Sequence, residues 1–291
     1  MLSELLQFSL SGMTLGATYA LAALGFSMIY NASGVINFAQ GEFIMIGGMA
    51  ASFLVAAGLP LPLACLAAVA IAGLIGGVVE RLTIAPARTA DVASIVIITI
   101  GVSMILRGLT EILLGKSAHA LPAFSGDDPI AVLGATFLPQ SVWVLGVGGL
   151  IVVGLRLFFG HTRIGKGVLA TAHDRLAAQL VGIDVRRVLT LSFALSAATG
   201  AVGGVLVTPI STVSFDTGVM LGLKGFVAAT LGGLGSGAGA VLGGLSLGLI
   251  EAMTAGYVSS SYKDAVPFIL IFVVLVLRPQ GMLGAKPTDR I

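Results

Sequence analysis

LPLACLAAVAIAGLIGGVVE, residues 61–80, holds no charged side chain before its last position. At about 1.5 Å per residue a helix of that run spans roughly 30 Å, the thickness of bilayer hydrocarbon. Comparable runs recur at approximately 9–30, 36–58, 92–114, 140–159, 188–208, 218–234, 240–257 and 264–278. The last is short for a full crossing, and 218–257 also fits a broken or re-entrant pair. Of the 291 residues 57% are hydrophobic and only 10% charged, with mean hydropathy +1.07. Soluble domains carry about 25% charged residues, so a polar shell cannot be assembled here. The chain reads as an all-α, polytopic membrane helix bundle of about eight or nine transmembrane helices. No soluble domain fits, so residues 1–291 read as a single transmembrane domain.

The lone Cys65 sits in an apolar run and excludes a disulfide framework. The 41 glycines are scattered through the apolar runs, which suits close helix packing in lipid. Ser196, Gly200 and Gly204 recur at four-residue steps, as do Gly235, Gly239 and Gly243. MLSELLQF, with no basic residue, does not read as a cleavable leader.

Net charge is only +2, so the placement of basic residues is what informs. With the C-terminal tail inside, the loops 81–91 and 156–187 are inside too. They carry Arg81, Arg88, Arg156, Arg163, Lys166, Arg175, Arg186 and Arg187, and the tail adds Arg278, Lys286 and Arg290. Lys116 and Lys263 alone fall outside, so the positive-inside bias is strong and nine spans put the N-terminus outside. The outside loop 115–139 has room for a short hairpin.

GHTRIGKG, residues 160–167, is one residue short of a phosphate-cradling loop. Gly167 stands where that loop needs a Ser or Thr for magnesium, and a membrane span precedes it in place of a strand, so nucleotide binding by this chain is not expected. The following VLATAHDRLAAQLVGIDVRRV, residues 168–188, has helical periodicity, with Leu169, Ala172, Leu176, Leu180 and Ile183 near one face. Gly182 is suited to end it in the left-handed conformation. A short amphipathic helix at the inner membrane surface follows, either resting on lipid headgroups or docking into a groove on a cytoplasmic partner.

ATAHDRLAAQLVGIDVRRV resembles the coupling segment of LivH-type permeases of branched-chain amino acid ABC importers. Further stretches resemble the same family in its order: INFAQGEFIMIGG at 36–48, VERLTIAPAR at 79–88, IITIGVSMILRG at 97–108, LGGLGSGAGAVLGGLSLGLIE at 231–251 and RPQGMLG at 278–284. The resemblance implies a permease domain whose cytoplasmic coupling loop, about 160–187, docks on ATPases through Lys166, His173, Asp174, Arg175, Ala178, Gly182 and Ile183. It also implies two cytoplasmic ABC ATPases that bind ATP and magnesium, a LivM-like sister permease and a periplasmic substrate-binding protein. It further implies a bacterial inner-membrane location and branched-chain amino acids as default cargo. The family segment often has Glu where this chain has Leu176, and Pro where Ala238 stands.

Polar groups facing a bundle interior mark transport paths. YNASGVINFAQGE, residues 30–42, concentrates them, and Gly34 and Gly41 permit a broken helix. Asn31, Asn37, Gln40, Gly41 and Glu42 are the candidate path residues, the alternative being a polar inside loop. Lys224 and Glu251 fall at matching depth in consecutive spans and are expected to form an ion pair that holds them together. Arg107 and Glu111, four apart, are a second candidate pair. His119, His161 and His173 lack metal-ligand spacing, no nucleophile–base constellation appears, and neither catalysis nor nucleic-acid binding is expected. Two other functions compete. An ion-gradient-driven secondary transporter would use Glu42, Glu111 and Glu251; an ABC permease for urea, an amide, an aromatic acid or a sugar would share the fold.

Overall fold

A computed structural model describes residues 2–87, 91–132 and 134–284. Arg88, Lys286 and Arg290, part of the inside charge bias, lie outside the described residues.

The protein is a polytopic membrane helix bundle. Among the described residues the helices are α1 (Leu2–Ser33), α2 (Gln40–Ala56), α3 (Leu61–Val79), α4 (Val92–Leu114), α5 (Pro139–His161), α6 (Arg163–His173), α7 (Arg175–Leu180), α8 (Val185–Val207), α9 (Thr217–Gly232), α10 (Gly237–Tyr257) and α11 (Val266–Leu277). A hairpin of β1 (Ile130–Val132) and β2 (Ala135–Phe137) interrupts the α4–α5 loop, with Ile130 opposite Phe137. Six helices (α1, α4, α5, α8, α10, and α3 with the π-helical turn Glu80–Ile84 that extends it) are long and apolar enough to cross a membrane, whereas α2, α9 and α11 are shorter.

α1 and α8 form the centre. Gly244 and Gly248 let α10 lie against the backbone of α1 at Ala20 and Gly16. Gly204 lets α8 meet the Ile44 carbonyl of α2, and Gly243 lets α10 meet the Ala228 carbonyl of α9. Without a hydrophobic force between helices in lipid, such backbone contact is what small residues supply. The outer faces of α3, α4, α5 and α11 carry exposed Leu66, Leu74, Ile112, Leu150 and Phe272, as lipid-facing helices should.

Connections sort to two ends, inner and outer by the positive-inside bias. At the inner one, Arg81, Arg186 and Arg187 surround one cavity, and the Gly281–Gly284 turn closes on Gly233. At the outer one, His119 and Val213 exchange two backbone hydrogen bonds and the Thr136 N–H donates to Gln7.

Two local expectations are corrected. The amphipathic segment is two helices, because Asp174 is extended (φ −152°) and caps α7, its carboxylate accepting from the Leu176 and Ala177 N–H groups at 2.8 and 3.0 Å. The face against the body is accordingly Val168, Ala178, Val185 and Val188, while Leu176 and Leu180 point away. Glu111 bridges to Lys116 at 3.0 Å, not to Arg107.

Candidate functional site

The break in 30–42 is built from Gly34 alone. Its φ of +72° ends α1, and the chain turns back into the bundle before α2 begins at Gln40. Gly41 is helical; it serves close approach, since a methyl there would strike the Gly218 carbonyl and Gly222 of α9. Gln40 lies at mid-bundle. Its Nε2 donates to the Ser196 carbonyl (3.2 Å) and its Oε1 accepts from the Ser196 hydroxyl (2.7 Å), Ser196 being midway along α8. Glu42 accepts from the Ser103 hydroxyl at 2.7 Å, midway along α4. The Phe38 N–H is satisfied by Thr99 Oγ1 and the Ala39 N–H by Asn37 Oδ1.

α2 thus starts halfway across the bundle with its polar N-terminus buried, leaving Asn37 Nδ2 and Glu42 Oε2 without a hydrogen-bond partner. Leaving such atoms unpaired in a protein interior costs about 1–3 kcal/mol each. Asn31, by contrast, sits at the inner end, donates to the Gly235 carbonyl at 2.7 Å and lines two cavities of about 470 and 500 Å³.

The first of those cavities separates the end of α1 from the α6–α7 junction, and His173, Asp174 and Arg175 line it. Arg175 turns inward, its Nη2 donating to the Ala32 carbonyl at 3.2 Å. That carbonyl belongs to the negative end of the α1 dipole, where a cation is favoured. Ala178 is buried and accepts from the Ile183 N–H, while Gly182 closes α7 at φ +86°. Lys166 is exposed on α6. GHTRIGKG spans the end of α5 and the first turn of α6, with Thr162 capping Gly165. Leu176 and Leu180 remain 68% and 81% exposed at the inner tip.

Toward the outer end, Lys224 Nζ lies 2.7 Å from Glu251 Oε1 and equally close to Asp264 Oδ1. The Tyr19 hydroxyl donates to Glu251 Oε2 at 3.0 Å, and Lys224 also reaches Tyr19 Oη at 3.4 Å. The Lys224 and Glu251 side chains are 6% and 4% exposed, that of Asp264 49%. The hydrogen bond from Lys224, with its charge, holds the Asp264 carboxyl below the usual carboxylate range. Asp264 and Tyr19 were not foreseen. The available signal was Asp264, an acidic residue at the first position of the last apolar run, at the end where Lys224 enters. His119, His161 and His173 fall respectively in the outer loop, at the end of α5 and at the end of α6.

A protein family described as "Branched-chain amino acid transport system / permease component" matches residues 8–275. The high-affinity branched-chain amino acid transport system permease protein LivH of Escherichia coli (strain K12) is 35% identical, over 98% of this chain and 97% of its own. The permease protein BraD of the corresponding Pseudomonas aeruginosa system is 34% identical over 98% of both. Among solved structures, PsaBC from Streptococcus pneumoniae in complex with Fab shares the fold, with TM-score 0.53 and 14% identity over 96% of this chain and 97% of that one.

Proposed function

Because the chain belongs to the branched-chain amino acid transport permease family, we propose that it is the transmembrane permease subunit of an ATP-driven ABC importer for branched-chain or related amino acids in a bacterial inner membrane. The observation that carries this is the 35% identity to a branched-chain amino acid permease, maintained over nearly the whole of both chains. In this reading residues 1–291 form one permease domain in which α1–α5 and α8–α11 make nine crossings, with the N-terminus outside. The α6–α7 segment is the coupling element. Its exposed Leu176 and Leu180 enter a groove on a cytoplasmic ATPase, and Asp174 fixes the angle between the two helices.

ATP and magnesium stay on two partner ATPases, whose closure pushes α7 and, through Arg175, the end of α1. A sister permease completes the pore and a periplasmic binding protein delivers solute. Asn37, Gln40 and Glu42, buried where α2 begins, line the path when the bundle opens. A secondary transporter would have no use for an apolar, capped helix at the inner tip, and so is disfavoured.

Co-purification with the partner ATPases tests this. Leu176→Glu/Leu180→Glu, at exposed positions, should leave the permease folded and strip the ATPases from it. Retention of the ATPases by that variant would refute docking through α7, and their absence from wild type would refute the importer reading.

A further inference from the structure

A lysine buried in a bundle needs one carboxylate for neutrality, yet Lys224 has two, Glu251 and Asp264, each at 2.7 Å. Lys224 and Glu251 border a cavity of about 330 Å³ between α1, α9, α10 and the α8–α9 loop, onto which Lys263 also opens. The volume falls at the small end of ligand sites, about 300–1,000 Å³. The lining also has an apolar part, with Leu15 and Leu221 one helical turn from Tyr19 and Lys224 and Val207 at the end of α8. With Asp264, which bonds Lys224 without lining the cavity, the two lysines meet two carboxylates and the charges sum to zero, so only a solute without net charge enters with no uncompensated charge in a low-dielectric site. Ionisable groups at membrane depth that border a cavity mark a solute pathway.

We propose, resting on the reading as an amino-acid importer permease, that this outer cavity is a transit site for a zwitterionic α-amino acid. The solute carboxylate docks on the Lys224–Lys263 side, its ammonium on Glu251, and its side chain against Leu15 and Leu221. Asp264 keeps Lys224 paired while Glu251 turns to the solute, so no charge is bared during the exchange. This goes beyond a pair that merely ties α9 to α10.

The test exploits the single native cysteine. In a Cys65→Ser background, Ser211→Cys sets a thiol at the cavity rim, where Ser211 is exposed. The full complex with its ATPases, in nanodiscs and without binding protein, is labelled with a charged methanethiosulfonate and read at position 211 by mass spectrometry. L-Leucine at about ten times its Kd should slow labelling about tenfold. 4-Methylpentanoate, which lacks the ammonium, and 3-methylbutylamine, which lacks the carboxylate, should not. Lys224→Met should abolish protection; if it fails to assemble, Lys263→Gln should weaken it. Equal protection by the two analogues, or none by leucine, would overturn the site. ATPases that co-purify in the same sample while leucine fails to protect would sink this inference alone; ATPases that do not co-purify would sink the permease reading.

Discussion

The Arg175 guanidinium donates to the Ala32 carbonyl across 3.2 Å, joining the α6–α7 segment to the last turn of α1. One residue after that turn, Gly34 reverses the chain toward the buried start of α2. In the proposed mechanism a displacement of α7 reaches Gln40 and Glu42 through the six non-helical residues 34–39, Asn37 among them.

Arg175→Ala removes that link and leaves the exposed face of α7 intact. ATPases should still co-purify, while solute imported per ATP hydrolysed falls by roughly fivefold or more, the lower end of usual coupling free energies. Measured uptake and phosphate release in proteoliposomes decide it. Unchanged stoichiometry would place the transmission elsewhere.

Lys224→Met strands the buried Glu251 carboxylate, whereas Glu251→Gln leaves Lys224 with Asp264. Breaking a buried pair by removing one partner costs about 3–5 kcal/mol. Thermal unfolding in detergent should show Lys224→Met as the worse single variant, with Glu251→Gln milder and the double variant more stable than Lys224→Met alone. Equal and additive losses would mean the two residues act independently.

The Asp264 carboxyl is held low by Lys224. A group depressed on folding stabilises above its unfolded pKa, about 3.9 for aspartate, and loses that contribution as pH falls through the folded value. The difference in melting temperature between wild type and Asp264→Asn should be constant from pH 5 to 8 (about one unit above that pKa and beyond) and shrink only in more acidic buffer. A difference that grows on acidification would contradict the contact.

Neighbouring glycines of α8 separate packing from propensity. A methyl on Gly204 would strike the Ile44 carbonyl, while one on Gly203 meets Leu21 Cβ at an ordinary 3.6 Å. Gly204→Ala should destabilise by about 1–3 kcal/mol, and Gly203→Ala should be neutral or gain up to about 1 kcal/mol of helix propensity. Melting of the two variants side by side is the check.

Much of the fold was legible because hydrocarbon thickness sets span length: the run at 92–114 coincides with α4, and 61–80 with α3 plus one residue. α1 reaches back to Leu2, beyond the apolar run from residue 9, because Ser3, Glu4 and Gln7 end hydropathy without ending a helix. Asp174 has the side chain of a helix cap, but periodicity carried one helix straight through it, hiding the break between α6 and α7. Lys224 and Glu251 were found by matching depth along consecutive helices. Asp264 escaped the same arithmetic because it was placed at the very start of the last apolar run, whereas it lies in the connection ahead of α11, whose path back over the bundle no periodicity encodes.

The most direct test of the central claim is uptake of labelled L-leucine into proteoliposomes holding this chain, its sister permease and the ATPases, with binding protein on the side of the outer cavity. The expected result is uptake that needs ATP and persists when ionophores collapse all ion gradients. Uptake that continues without ATPases and vanishes with the ionophore would make the protein a gradient-driven carrier and contradict the assignment.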